Sequence, residues 1–209
     1  MGKENIHIVE HRMAGLFPLV NSFIAEGDDL TLIDTGFNDS SARTIIKRLE
    51  ALDHKLSDVD LCIITHAHRD HIGGLKALKA FGQPFLVAAH DAEADDVEKA
   101  TGLDVDLRLI DGQTVGGFTV IYLPGHTLGS IALLGGSTLI AGDVLNGGGT
   151  ELKGPNPMFS KDRDTAEASI RSLVDLDFDR VLVGHGHGVQ TGGKEALLRL
   201  IEHIGEPLS

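Results

Sequence analysis

The sequence predicts an α/β fold built from two similar halves. Its 209 residues are enough to bury a substantial core, and we expect one domain over residues 1–209. Hydrophobic residues make up 42% of the chain, which excludes global disorder. Short, largely apolar runs alternate with amphipathic segments, and in each half the strands come before a helix. Two such halves can pack sheet against sheet with their helices outside.

In the first half, an acidic turn containing Gly27 separates two apolar runs and predicts a β-hairpin. Ser40 and Ser41 are expected to cap a helix that ends near Leu52. A buried strand then leads directly into His66, and a helix follows the Gly73-Gly74 pair. The predicted elements are the hairpin strands 19–24 and 30–33, the strand 59–65, the helix 74–80, the strand 85–89 and the helix 91–99.

The second half is expected to contain short strands with Gly-rich turns, followed by two helices around a strand. The predicted elements are the strands 118–123, 130–134 and 138–141, the helix 164–174, the strand 180–183 and the helix 193–204. Residues 146–160 hold four Gly and two Pro and show no periodicity. A loop this long in a compact domain often covers a functional site, although a tolerated surface insertion is the alternative.

The charge and the cysteine content of the chain limit the classes of partner and the cellular compartment that we expect. The 18 Lys and Arg face 31 Asp and Glu, and no basic cluster of the kind that binds phosphates appears, which argues against a nucleic-acid partner. No apolar run approaches the roughly 20 residues that span a bilayer, and residues 1–7 lack the apolar core of a signal peptide. Cys62 is the single cysteine, which excludes an internal disulfide. We therefore expect a cytoplasmic protein with no membrane partner.

The chemistry-bearing feature is the run Thr65-His66-Ala67-His68-Arg69-Asp70-His71. Three His and one Asp fall within six residues, where a buried strand ends and a loop frees the side chains. The spacing of His66 and His68 lets two imidazoles converge, while Asp70 and His71 lie on the following turn. Imidazole and carboxylate together suit zinc, iron or manganese.

Further ligand-type residues recur downstream, each beside a glycine and after an apolar strand. They are His126 after Gly125, Asp143 after Gly142, and His185 after Gly184. A single His after a strand is usually structural, but the repeated pattern favours one shared site at a sheet edge. His187, two residues after His185, is ambiguous because it points in a similar direction.

Together these motifs resemble the metallo-β-lactamase superfamily over nearly the whole chain. The family's order of Asp, His-x-His-x-Asp-His, His, Asp and His falls here on Asp34, the 66–71 block, His126, Asp143 and His185. The resemblance implies a four-layer αββα sandwich with two metal ions at one edge. By the same resemblance, the first metal is held by His66, His68 and His126, and the second by Asp70, His71 and His185.

The resemblance also assigns Asp143 as the bridge between the metals and Asp34 as an outer residue that hydrogen-bonds a ligand His. Zinc is the favoured metal, with iron and manganese as alternatives. Two dications keep a net positive charge beside the catalytic carboxylates Asp70 and Asp143. Such a centre can polarise a carbonyl or phosphoryl oxygen and supply a metal-bridged hydroxide at neutral pH.

The sequence thus predicts a binuclear metallo-hydrolase for a small-molecule substrate. Residues 16–19 and the segment 146–160, with Met158 and Phe159, are expected to form apolar walls near the metals. Such walls around a cationic centre suit an ester, thioester or lactone of small to medium size. An iron-dependent persulfide dioxygenase on the same fold and a phosphodiesterase remain alternatives. The final helix and the segment 146–160 are each candidates for a homodimer contact, and no residue pattern decides between them.

Overall fold

The computed structural model describes residues 5–12, 19–81 and 84–204. The strands in these ranges are β1 Asn5–His11, β2 Val20–Glu26, β3 Thr31–Ile33, β4 Leu61–Ile64, β5 Leu86–His90, β6 Leu107–Leu109, β7 Thr114–Val115, β8 Phe118–Tyr122, β9 Ile131–Gly135, β10 Thr138–Ile140, β11 Asn146–Gly148, β12 Leu152–Lys153, β13 Arg180–Leu182 and β14 Gly186–His187. The helices are α1 Asp39–Glu50, α2 Arg69–Ile72, α3 Leu75–Ala80, α4 Asp91–Thr101, α5 Arg163–Ser172 and α6 Gly193–His203.

Two main sheets form the centre of the molecule. The first has the order β1-β2-β3-β4-β5-β6, and its members from β3 onward run parallel. The second has the order β13-β10-β9-β8-β7, in which β8, β10 and β13 point the same way. The functional residues of each half follow the carboxyl ends of these parallel-running strands. A small third sheet of β12, β11 and β14 lies next to His185.

Three buried clusters show that the layers are ordered helix, sheet, sheet, helix. In β4, Leu61 and Ile63 belong to the cluster between the two sheets, whereas Cys62 and Ile64 belong to the cluster beneath α1, α3 and α4. This alternation follows from the two-residue period of a strand. A third cluster packs α5 and α6 on the outer face of the second sheet. The predicted αββα sandwich is confirmed.

The burial of Cys62 supports its interpretation as a core residue. The side chain is fully buried on the helix-facing side of β4. Burial raises the pKa of this thiol far above its usual value, so it stays protonated and unreactive.

The structure differs from the sequence prediction at several element boundaries. Strands β1, β6 and β7 were not predicted, because each is short or interrupted by charged residues. The cap of α1 is Asn38, whose side chain accepts hydrogen bonds from the backbone N–H groups of Ser40 and Ser41. The segment 146–160 is not structureless, since β11 and β12 lie within it. None of the helices in the described ranges is long and apolar enough to cross a membrane.

Candidate metal centre

The site lies along one edge of the sandwich, where strands of both sheets end. From the first sheet, β3 leads into Asp34 and β4 leads into the segment His66–His71. From the second sheet, His126, Asp143 and His185 follow β8, β10 and β13 within a few residues. The two halves of the chain therefore supply one site, as the repeated pattern of strand, glycine and ligand-type residue predicts.

Three histidines and one aspartate converge into the first group of potential ligands. The Nε2 atom of His66 lies 3.1 Å from Nδ1 of His68 and 3.3 Å from Nε2 of His126. The third pair, His68 Nδ1 and His126 Nε2, is 3.0 Å apart. Asp143 places Oδ2 at 3.5 Å from His126 Nε2. These four donor atoms lie mutually within 4.8 Å, which suits a single ion.

The second group contains Asp70, His71 and His185. The Nε2 atom of His185 lies 3.1 Å from Oδ2 of Asp70 and also 3.1 Å from Oδ2 of Asp143. The Nε2 atom of His71 is 3.2 Å from the other Asp143 oxygen, Oδ1. Asp143 thus touches both groups, which is the position that the sequence resemblance assigns to a bridging ligand.

The geometry of both groups fits divalent cations. A tetrahedral zinc ion with bonds of about 2.0–2.1 Å to nitrogen requires ligand atoms about 3.3 Å apart. The ring nitrogens of His66, His68 and His126, which we call the tri-histidine group, lie close to this spacing. Beside the second group, Nε2 of His71 and the facing Oδ1 of Asp143 are buried and 3.2 Å apart, but no hydrogen bond among the described residues satisfies either atom. Buried polar atoms without partners are costly, and a cation between them satisfies both. The assignment of individual ligands remains a prediction.

In three of the histidines, a hydrogen bond at the ring nitrogen Nδ1 leaves the other nitrogen, Nε2, free to bind a cation. His71 Nδ1 donates to Oδ2 of Asp34 at 2.7 Å. The same oxygen accepts from the Thr65 hydroxyl at 2.7 Å, and that hydroxyl lies 3.1 Å from His66 Nδ1. Asp34 is fully buried and has a φ of 56°, a left-handed conformation that Asp tolerates better than most residues. It therefore fixes two imidazole tautomers, one directly and one through Thr65.

His126 is oriented from a different part of the chain. Its Nδ1 lies 3.2 Å from the hydroxyl of Ser160, and that hydroxyl donates to the carbonyl of Asn156 at 2.9 Å. The hydroxyl therefore acts as acceptor for the Nδ1–H of His126, which leaves Nε2 as the free nitrogen. The segment 146–160 is thereby connected directly to a candidate ligand.

The electrostatics divide the histidines into two kinds. Burial lowers the pKa of His66 and lowers that of His126 to about 4, so both are neutral at pH 7 and ready to bind a cation. Burial also opposes the charged form of His71, but the carboxylates of Asp143 and Asp34 outweigh it and raise the pKa well above its usual value. In metal-free protein, protons on this side of the site neutralise the carboxylates, and binding of a cation is expected to release them.

The remaining site predictions have mixed outcomes. The side chain of His187 is exposed, with Nδ1 at 4.0 Å from Oε1 of Glu10, and it belongs to neither ligand group. Residues 16–18 of the predicted apolar wall lie outside the described residues. Contacts at the site that were not predicted from the sequence are made by Thr65, Ser160 and Glu93. Of these three residues, only Thr65 could have been singled out from the sequence, because it directly precedes His66.

A cavity of about 650 Å³ opens above the two ligand groups. Its floor includes His68, Asp70, His126, Asp143 and His185. Apolar side chains of Val20, Phe37, Pro155, Pro157 and Phe159 line its sides. The segment 146–160 therefore forms one wall of the cleft, as predicted. Met158 is not among the lining residues and is 85% exposed.

Comparison with known proteins identifies related sequences. The sequence model of the metallo-beta-lactamase superfamily matches residues 16–185. The Bacillus subtilis protein YobT, which has no assigned function, is 29% identical over 200 residues, covering 82% of this chain and 84% of that protein. A hydroxyacylglutathione hydrolase of Dechloromonas aromatica is 35% identical over 164 residues, covering 76% of this chain and 54% of that protein. That of Rhodopseudomonas palustris strain BisB5 is 38% identical over 126 residues, covering 56% and 46%. The match thus spans about half the length of these hydrolases.

Solved structures show the same architecture. A metallo-beta-lactamase family protein of Thermus thermophilus superposes with a TM-score of 0.75 at 22% identity, covering 95% of this chain and 78% of that one. A metallo-beta-lactamase of Pontibacter korlensis gives a TM-score of 0.75 at 19% identity, covering 94% and 92%. At this level of identity the likeness establishes the fold alone.

Proposed function

The chain belongs to the metallo-β-lactamase superfamily of metallo-hydrolases, and we propose that it hydrolyses a small to medium acyl substrate at a centre of two divalent cations. The observation that carries this proposal is the arrangement of two ligand groups, joined by Asp143, on the floor of one cleft. Zinc is the metal that the His and carboxylate donors favour. A thioester is the preferred substrate among ester, thioester and lactone, because relatives carry the name hydroxyacylglutathione hydrolase.

The dimensions and lining of the cleft support a substrate of this class. A volume of about 650 Å³ is within the range of small-molecule sites, and the Pro155, Pro157 and Phe159 wall offers apolar contact to an acyl or thiol portion. Arg69 and Lys153 also line the cleft, and neither forms an ion pair within the part of the chain that the structure describes. In a chain of net charge −13, two free cations at the cleft favour a substrate that carries a carboxylate or another anionic group.

Divalent cations, when bound, polarise the scissile carbonyl and make water a competent nucleophile near neutral pH. The protein's own residues prepare the site for this chemistry. His66 and His126 are held neutral by burial, so they present lone pairs rather than protons. The hydrogen bonds that the Nδ1–H groups of His71, His66 and His126 donate to Asp34, Thr65 and Ser160, respectively, keep the ring planes and tautomers fixed.

The two catalytic carboxylates have different surroundings. Asp143 is buried between both ligand groups. Burial opposes its charge, but the charge of His71 and the hydrogen bond from His185 act together to lower its pKa far below the usual value. Asp70 is more open to the cleft, with 35% of its side chain exposed. Burial opposes its charge, but the hydrogen bond from His185 and the charge of His71 together keep the pKa of Asp70 below its usual value. Both groups therefore stay ionised at neutral pH and accept protons or ligate cations rather than act as acids.

The test combines metal analysis with a substrate panel. We would purify the protein without added metal, measure bound elements, and assay a glutathione thioester, an aryl ester, a lactone and an aryl phosphodiester. Two zinc or manganese ions per chain and turnover of the thioester are expected. Turnover should be lost in chelator and in Asp143→Asn, while the exposed control Asp104→Asn keeps it. One iron per chain with oxygen uptake on a persulfide, and no hydrolysis, would instead identify a dioxygenase.

A further inference from the structure

Glu93 is a buried carboxylate that the proposed chemistry does not use. It is the third residue of α4 and is 1% exposed. No lysine, arginine or histidine forms an ion pair with it in the described ranges. A buried carboxylate is retained only when its oxygens are well satisfied, so its partners indicate what it does.

Its partners are the backbones of the two loops that supply the tri-histidine group. Oε1 accepts a hydrogen bond from the N–H of Ala67 at 2.7 Å, and Ala67 lies between His66 and His68. Oε2 accepts from the N–H of Gly129 at 2.7 Å, three residues after His126. One side chain therefore bridges two loops that come from different sheets.

The second loop packs directly against the start of α4. A Cβ atom at Gly129 would lie 2.5 Å from Cβ and 2.6 Å from the backbone nitrogen of Glu93, which leaves room for glycine alone. Tyr122 supports this approach, since its ring stacks on His90 at 4.2 Å and its hydroxyl donates to the carbonyl of Leu128 at 2.9 Å. Glu93 also lies in the first turn of α4, where the helix dipole favours a negative charge.

We propose that Glu93 is a positioning residue that sets the separation between the His66–His68 loop and the His126 loop, and so the affinity of the tri-histidine group for its cation. The inference rests on the proposed function, because it takes this group to bind a metal. The three ring nitrogens lie 3.0–3.3 Å from one another, although His126 is 60 residues from His66 in the chain. Glu93 supplies two short charged hydrogen bonds that span this gap, and such bonds are stronger and shorter than neutral ones.

Replacement of Glu93 by Gln tests this role with little change in size. The amide keeps one oxygen acceptor, but its NH₂ group cannot accept from the second loop. One of the two N–H groups, of Ala67 or Gly129, therefore loses its partner and the loops are free to separate. Loss of an outer contact of this kind is expected to weaken metal binding about 10–100-fold. The shorter Glu93→Asp keeps the charge and both acceptors, and we expect a smaller loss.

The measurement is titration of chelator-treated protein with cobalt(II), followed by visible absorption. The matched control is Asp96→Asn, the same chemical change at an exposed position of α4 whose side chain lies 3.6 Å from Lys161. Glu93→Gln is expected to raise the Kd of the tri-histidine site about 10–100-fold and to alter its cobalt spectrum. The control should match the wild type, and the circular dichroism of all metal-free proteins should be the same.

Three outcomes would overturn the inference. If Glu93→Gln folds and binds cobalt with wild-type affinity and spectrum, Glu93 does not position the ligands. If neither Glu93→Gln nor Glu93→Asp folds, the residue serves folding itself. If the wild type binds no cobalt, the proposed function fails and this inference fails with it. Only the last outcome touches the proposed function, so the two failures are distinguishable.

Discussion

Replacing Asp34 by Asn is expected to weaken the binding of the second metal. The exchange keeps the shape of the side chain, and Asn tolerates the left-handed φ of 56° at this position. It changes one atom that matters, Oδ2, which accepts from both the Thr65 hydroxyl and His71 Nδ1. An amide nitrogen in that place donates, so His71 Nδ1 must become an acceptor and its proton moves to Nε2.

That proton then lies where the cation should be. Nε2 of His71 faces Asp143 at 3.2 Å, and a protonated Nε2 cannot ligate a metal. Removal of an outer partner of a ligand histidine typically lowers metal affinity 10–100-fold, which corresponds to about 1.4–2.7 kcal/mol. The tri-histidine group is affected less, because Asp34 reaches His66 only through the Thr65 hydroxyl.

The assay is equilibrium dialysis with element analysis, combined with long-range proton–nitrogen NMR of the His71 ring. We expect about one tightly bound metal in Asp34→Asn, a weakened second site, and a signal from Nε2–H in metal-free protein at a pH where the ring is neutral. Asp39→Asn, the same exchange at an exposed position of α1, should bind as the wild type does. Two metals bound with unchanged affinity in Asp34→Asn would refute the tautomer argument.

Three further predictions concern the surroundings of the site. Ser160→Ala removes the acceptor for His126 Nδ1 and should weaken cobalt binding up to about 10-fold. Ser160→Thr retains a hydroxyl and should retain the wild-type affinity. Equal cobalt affinity in the two variants would show that the hydroxyl does not determine metal binding. Burial lowers the pKa of His11 in the folded protein to about 4. As the pH falls, the unfolded chain therefore protonates His11 near pH 6.5, whereas the folded protein does so only near pH 4. The free energy of unfolding of metal-free protein should therefore fall by up to about 3 kcal/mol as the pH drops from 6.5 to 4. In urea unfolding, His11→Gln should show a shallower dependence of this free energy on pH. The same pH dependence in His11→Gln and the wild type would contradict this prediction. Lys153→Ala should raise KM for an anionic thioester about 5–10-fold with kcat unchanged, and should leave KM for a neutral ester as it was; equal effects on both substrates would rule out charge recognition.

The sequence was sufficient to predict the convergence of the candidate ligands but not the contacts that support them. His66, His68, Asp70 and His71 are close together in sequence and follow an apolar strand, so local pattern places them together. His126, Asp143 and His185 could be joined to them because parallel-running strands end at one edge of a sheet. The motif order of the family then indicated which residue lies next to which.

The supporting residues had no comparable signal. Glu93 lies in a helix whose sequence is rich in Asp and Glu, most of them exposed, so nothing distinguished the one carboxylate that turns inward. Ser160 contacts His126 across 34 positions of the chain, and only the path of the intervening segment brings them together. The small strands β11 and β12 escaped prediction because Gly and Pro obscure the strand pattern.

The division of the ligands between two sheets has a consequence for the thermodynamics of the whole molecule. Asp143 follows a strand of the second sheet, yet its oxygens lie near His66 and His71 of the first. Cations bound there would act as a reversible crosslink between the halves of the chain, formed only in the folded state. By mass action such a crosslink adds about 2.7 kcal/mol of stability when free metal is 100 times its Kd. The melting temperature of this protein should then report the free metal concentration around it.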